Sequence, residues 1–301
     1  MGEYSKRIGD VGEEVIVDFL SLIGWNDPMR NEDIESLDKE FRKRTNGIDG
    51  YFHYRNPMVS NTVENVIYSS KYSTEPYPKS NLISLFKERY EELAKAIESF
   101  KKSILKQHTI SLYQNIDATF DRGVLFWLNN SGEGVQDIIS QLSNIRLSTE
   151  TNHDGIFLVD NHRIEFIYDS ISFIRSKFPH SDIDFFYFNN GLNNDDKNPR
   201  NGKIMPLEYI NSSILPIRVS EADKTTVVLT VIDGFDKDDL MKYMGIAKNI
   251  GCNAQGATLI CYPDYLETEY LPTVNSIKQA FEDPSFTNNL SIANFKKPML
   301  R

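Results

Sequence analysis

Residues 123–128 read Gly-Val-Leu-Phe-Trp-Leu, with no polar interruption. A strand with one wet face alternates apolar and polar side chains. An unbroken run fits a strand buried on both faces of a sheet. Such a strand needs cover above and below, so the chain reads as an α/β layer protein.

The elements around that strand follow from periodicity. Residues 5–23 predict a helix with Val11, Val15, Ile16, Phe19, Leu20 and Ile23 on one face. Gly24 supplies its stop, and Asp27-Pro28 confirms the break. A short strand is expected near 26–30, then a polar loop with a helical turn over 30–46. Two strands follow at 47–55 and 63–72, rich in Ile, Val, Tyr and Phe, with Asn56-Pro57 and Ser60-Asn61 marking the turn. A long helix over 80–107 presents Leu82, Leu85, Phe86, Tyr90, Leu93, Ile97 and Phe100 as its buried stripe. Another helix is expected at 132–141, after Asn129-Asn130-Ser131. The order is α-β-β-β-α-β with one mixed sheet.

A chain of 301 residues exceeds what one small domain needs, so two are expected, 1–150 and 151–301. The second also reads as α/β. Its strand candidates are 155–159, 163–167, 183–188, 215–219, 226–232 and 257–261; its helix candidates are 168–177, 236–249 and 272–282. Residues 189–202 carry six asparagines and no apolar period, and predict a long exposed loop. Tyr262, Tyr265 and Tyr270 read equally as an interface or as core.

Charge and cysteine content exclude several classes. The formal charge of −10 lacks the bulk basic footprint of a nucleic-acid binder, so any contact with DNA must use a local patch. Arg42-Lys43-Arg44 and Lys79 are the candidates; a solvated loop is the equal alternative for the first group. No run of 18 apolar residues suggests a membrane span, and the polar opening MGEYSKRIGDVGEE has no signal-peptide core. Cys252 and Cys261 make neither a disulfide framework nor a zinc site, and suit a reducing cytoplasm.

Three residues carry chemistry when taken together. Glu13 follows Gly9-x-x-Gly12 on the first helix, Asp49 sits in Gly47-Ile48-Asp49-Gly50, and Lys71 lies on the next strand in Ser69-Ser70-Lys71. Phosphodiester cleavage needs a metal to activate water and shield phosphate charge. Mg2+ takes oxygen ligands and keeps several waters. A neighbouring lysine can orient the water and stabilise developing negative charge. Taken one at a time, the same residues have ordinary readings. Glu13 is a first-turn acid suited to the helix dipole, Asp49 a turn residue, and Lys71 a solvated strand lysine.

The set, in this order and on these elements, resembles the PD-(D/E)xK nuclease superfamily, with its restriction-endonuclease-like fold. The resemblance covers about residues 5–130. Gly9, Glu13 and Gly24 reproduce the spacing that marks the first helix in its Holliday-junction resolvases and methyl-directed restriction enzymes. The opening MGEYSKRIGDVGEEVIVDFLSLIGW also resembles the nuclease subunit of a two-gene bacterial anti-phage defence system. The resemblance implies a metal-dependent DNA endonuclease acting on double-stranded DNA with Mg2+, or Mn2+. Asp49 would be the principal ligand, Glu13 a second metal-site acid with Glu14 as runner-up, and Lys71 the catalytic lysine. It also implies a second subunit encoded nearby and a homo- or hetero-oligomer. Residues 151–301 would then sense substrate or dock a subunit.

One position departs from that pattern. The superfamily places Glu, Asp or Gln two residues before the lysine; this chain has Ser69, a weak neutral ligand. Either a carboxylate comes from elsewhere, with Glu14, Glu64 or Glu75 as candidates, or the fold persists as an inactive subunit that binds DNA or DNA ends. Other motifs lead nowhere. The Asp233-Asp236-Asp238-Asp239 run lacks the glycine and glutamate of a calcium loop and reads as a helix cap. Ser131-Gly132-Glu133-Gly134 lacks the lysine of a phosphate loop.

Overall fold

The computed structural model describes residues 2–35, 45–148, 150–188, 192, 199–222, 224–251 and 256–296. The chain forms two compact units, Met1–Ile164 with Leu192–Asp195, and Glu165–Gly191 with Asp196–Arg301.

The first unit runs α1 (Gly2–Leu22), β1 (Met29–Glu35), β2 (Thr45–Arg55), β3 (Thr62–Ser73), α2 (Leu82–Lys101), α3 (Ile104–Ser111), β4 (Ala118–Asn129), α4 (Ile139–Leu142) and β5 (Ile156–Val159). These strands form one sheet in the order β1-β2-β3-β4-β5. The first two pairings are antiparallel, and β3-β4 and β4-β5 are parallel. The apolar run is the second half of β4, and Val124 to Leu128 are all buried. Its side chains alternate between two cores. Leu125 and Trp127 join Ile67, Tyr90, Leu93, Ile97 and Phe100 beneath α2. Phe126 meets Phe19 of α1 edge-on, with ring centroids 6.0 Å apart.

The structure narrows the stripe expected of α1. Ile16, Phe19, Leu20 and Ile23 are buried, whereas Val11 and Val15 are 43% and 38% exposed. Gly12 and Ile16 lie on one line of the helix, and a shift of one residue turns a side chain by about 100°. Fully burying each of the four apolar side chains contributes about 1.5–3 kcal/mol. The helix ends as expected. Gly24 takes φ +82, Gly24 N donates to Ser21 O (3.1 Å), and Trp25 N donates to Leu20 O (2.8 Å).

Other boundaries differ from the sequence expectation. Residues 31–35, expected as loop, extend β1. The long helix breaks at Lys102-Ser103, where the Ser103 hydroxyl caps α3 by accepting from Lys106 N (3.2 Å). The helix expected over 132–141 shrinks to Ile139–Leu142. Gly132 and Gly134 take φ +74 and +83, which a helix cannot use, and Asp137, not Ser131, bonds the first turn through Ser140 N (3.0 Å). The strand at 155–159 appears as β5 and pairs with β4.

The division between the units falls within α5 (Asn161–Lys177). That helix replaces the strand expected at 163–167. Asp160 caps it, accepting from Arg163 N (2.9 Å) and also from Ile138 N (2.9 Å). The second unit continues with β6 (Asp182–Phe186), β7 (Asn201–Gly202), a 3-10 turn at Leu207–Asn211, β8 (Ile214–Glu221), β9 (Lys224–Val231), α6 (Lys237–Gly251), β10 (Ala257–Tyr262), α7 (Glu267–Ala280), α8 (Pro284–Thr287) and β11 (Leu290–Asn294). Its sheet order is β11-β10-β9-β8-β6-β7. Tyr262 and Tyr265 are buried in its core, and Tyr270 stacks on Phe235 with centroids 4.5 Å apart. The tyrosines are therefore packing residues.

Candidate active site

Of the sequence candidates, Asp49, Ser69 and Lys71 lie where β2 and β3 run side by side. Ser69 and Lys71 are two apart on β3 and share a face. Asp49 lies one position beyond the Gly50–Tyr68 pair of the β2-β3 register, which sets it across from Ser69. Its Oδ2 accepts from Ser69 Oγ (3.1 Å) and from Ser70 N (2.5 Å). Both bonds fall on Oδ2, so Oδ1 accepts none among the described residues. On the same face, Lys71 Nζ lies 3.3 Å from Glu92 Oε2 of α2. Lys71 is paired in the β3-β4 register with Trp127, whose ring carries the Arg89 guanidinium at 4.2 Å.

Glu13 is carried by α1, which packs on the other face of β3. There a Cβ on Gly12 would lie 2.4 Å from Tyr72 Cβ, so glycine lets helix and strand pack this closely. Tyr68 feels the charge of both Glu13 and Asp49. Its ring lies over Gly50, where a Cβ would sit 2.0 Å from Cζ and 2.1 Å from the hydroxyl. That hydroxyl is buried and has no hydrogen-bond partner among the described residues. Burial pushes it up to about 12; the Arg30 cation opposes the shift, and the Asp49 and Glu13 carboxylates add to it.

The remaining candidates are placed less tightly. Glu14 and Lys79 are exposed. Arg42, Lys43 and Arg44 lie outside the described residues. Of the carboxylates considered as substitutes at position 69, Glu64 is buried at the opposite end of β3. It accepts from Asn56 Nδ2 (2.9 Å) and pairs with Arg122 Nε at 3.4 Å. Glu75 is exposed in the turn after β3. Sequence reasoning missed Glu92, Tyr68 and Arg89. Nothing in the composition of α2 separates Glu92 from Glu88 or Glu91; only its approach to Lys71 does.

No group of three or more His, Cys, Asp or Glu side chains is placed to hold a metal among the described residues. Mg2+ is commonly bound through one or two carboxylates, with waters and substrate phosphate completing its shell. Asp49, with an oxygen to spare and a lysine on the same face, fits that donor chemistry. The first unit thus places an acid and a lysine on neighbouring strands, with a second acid on the helix that packs on the other face of β3.

No curated protein and no solved structure matches the chain. The sequence does match the family described as the GAPS4 protein PD-(D/E)XK nuclease domain, over residues 1–163. The match spans more than half of the 301 residues and takes in every element that carries Glu13, Asp49 and Lys71. The chain therefore belongs to the GAPS4 PD-(D/E)XK nuclease family.

Proposed function

We propose that the chain is a metal-dependent DNA endonuclease, working in anti-phage defence in the cytoplasm under the control of a partner subunit. The observation that carries the catalytic part is the placement of Asp49, Ser69 and Lys71 on one face of β2-β3, within the matched nuclease domain. A divalent ion, Mg2+ or Mn2+, supplies Lewis-acid stabilisation of the phosphate when bound. Asp49 would hold the ion through its carboxylate. Lys71 presents an ammonium to the attacking water and to the charge that develops on the phosphate. Glu13 adds a second acid from α1. Ser69 orients Asp49 by donating to Oδ2, which directs the remaining oxygen to ligation.

The acidic balance of the whole chain, −10, argues that DNA affinity comes from a small patch or from a partner. Arg42, Lys43, Arg44 and Lys79 are the local candidates for phosphate contact, and the partner and oligomeric state follow from the resemblance alone. A second reading rests on Ser69, which removes an acid from the usual set: a nuclease-fold subunit without chemistry, which binds DNA and scaffolds a complex.

A cleavage assay separates them. Supercoiled and linear DNA would be incubated with Mg2+ or Mn2+ and the wild-type chain, with and without the product of the neighbouring gene. Asp49→Ala and Lys71→Ala are each expected to lower the cleavage rate on the order of 100-fold or more. Absence of metal-dependent cutting under every condition, including with the partner, would replace the enzyme reading by the scaffold reading.

A further inference from the structure

The site lacks an acid where the strand should supply one and has an acid on α2 that no motif marks. Ser69 brings no charge. Glu92, on the helix that covers the same face, has Oε2 3.3 Å from Lys71 Nζ. The other nearby carboxylates do not fill the gap. Glu64 is committed to Asn56 and Arg122 at the far end of β3, and among the described residues neither Glu14 nor Glu75 pairs with Lys71.

The Lys71 pair gives Glu92 little structural reason to be an acid, though its charge also acts on the half-buried Arg89 guanidinium. Its side chain is 58% exposed and that of Lys71 33%. Ion pairs this exposed contribute only about 0–1 kcal/mol to stability. An exposed glutamate also keeps its rotamer freedom, so its carboxylate can leave the lysine for a stronger cation nearby. Ser69 and Lys71 are two residues apart, a strand advance of about 7 Å. The lysine that Glu92 meets is thus the next residue after Ser69 on the same face of β3, and Ser69 is the residue that bonds Asp49.

We propose that Glu92 supplies from α2 the carboxylate that Ser69 does not carry, as a ligand for the divalent cation at Asp49. In the absence of the cation it pairs with Lys71; with the cation bound it turns to the metal and releases the ammonium for the phosphate. The inference rests on the reading of Asp49 as a metal ligand.

Mn2+ binding to the full chain, measured by titration calorimetry, tests it without requiring activity. Glu92→Gln is expected to weaken Mn2+ binding by about 10–100-fold. Its thermal midpoint should stay close to wild type, because the lost ion pair is exposed. Adding Ser69→Glu to Glu92→Gln should restore most of the affinity, since the acid returns to the strand position. Asp49→Ala runs in parallel as the reference for the site itself. Glu92→Gln binding Mn2+ like wild type, while Asp49→Ala does not, overturns the role of Glu92 and leaves the site standing. Loss in Glu92→Gln without rescue by Ser69→Glu overturns the relocation. Equal binding by wild type and Asp49→Ala, or no binding by wild type, defeats the reading of Asp49 and this inference with it.

Discussion

Tyr68 and Gly50 are the residues whose cost is plainest. A buried hydroxyl without a partner among the described residues loses about 1–3 kcal/mol of hydration, and Gly50 is small so that this hydroxyl can sit where it does. Tyr68→Phe should therefore raise the urea midpoint or leave it unchanged, and a drop of more than about 1 kcal/mol would reveal an unseen partner for the hydroxyl. Gly50→Ala should destabilise by about 1–3 kcal/mol, because the ring must move off the strand. At this scale Asp49 and Lys71 were legible: each sits beside a glycine or serine at a spacing that one strand pair can bring together. Glu92 and Tyr68 were not. An acid on the wet side of a helix and a tyrosine in an apolar strand look ordinary until the fold shows what each one faces.

At the scale of elements, legibility followed burial. The β4 run and the α2 stripe were readable because both faces of one and one face of the other are packed. Residues 132–138 misled because their apolar positions serve a loop that two left-handed glycines shape. α5 misled because Ile164, Phe166 and Tyr168 alternate like a strand over a few residues, while the cap at Asp160 starts a helix.

Two histidines in the first unit couple packing to pH. His153 accepts at Nδ1 from Gly155 N (3.2 Å), and its Nε2 lies 2.9 Å from the Tyr90 hydroxyl on α2. His53 Nδ1 lies 2.6 Å from the Tyr113 hydroxyl. Burial holds both rings below the usual histidine range, with Lys101 adding to the effect at His153. The unfolded chain then binds more protons than the folded one as pH falls below about 6.5, so stability rises with pH through that window. It is complete above the unfolded value and lost as pH drops toward the folded ones. Urea midpoints measured on either side of pH about 6.5 should fall on the acid side, and less steeply in His153→Gln. An equal slope in that variant would show that the ring does not titrate on unfolding.

For the whole molecule, the relevant fact is that the first sheet is finished only by β5. Its four residues pair with Gly123–Phe126, and Asn161 just beyond donates to Asn129 O (2.6 Å) and accepts from Tyr77 Oη (2.8 Å). A fragment of residues 1–164 is expected to melt as one cooperative unit by circular dichroism and to keep the Mn2+ affinity of the full chain. One ending at residue 155 should not, because the buried edge of β4 would lose its neighbour. Equal melts of the two fragments would show that β5 is dispensable. No helix of the described residues is long and apolar enough to cross a membrane.

The arrangement around Trp127 has an optical consequence. The chain has two tryptophans, Trp25 and Trp127, and both belong to the first unit. Indole emission thus originates in the nuclease unit alone. Of the two, Trp127 stands in register with Lys71 and beneath the Arg89 cation, so a phosphate bound at Lys71 should shift its emission.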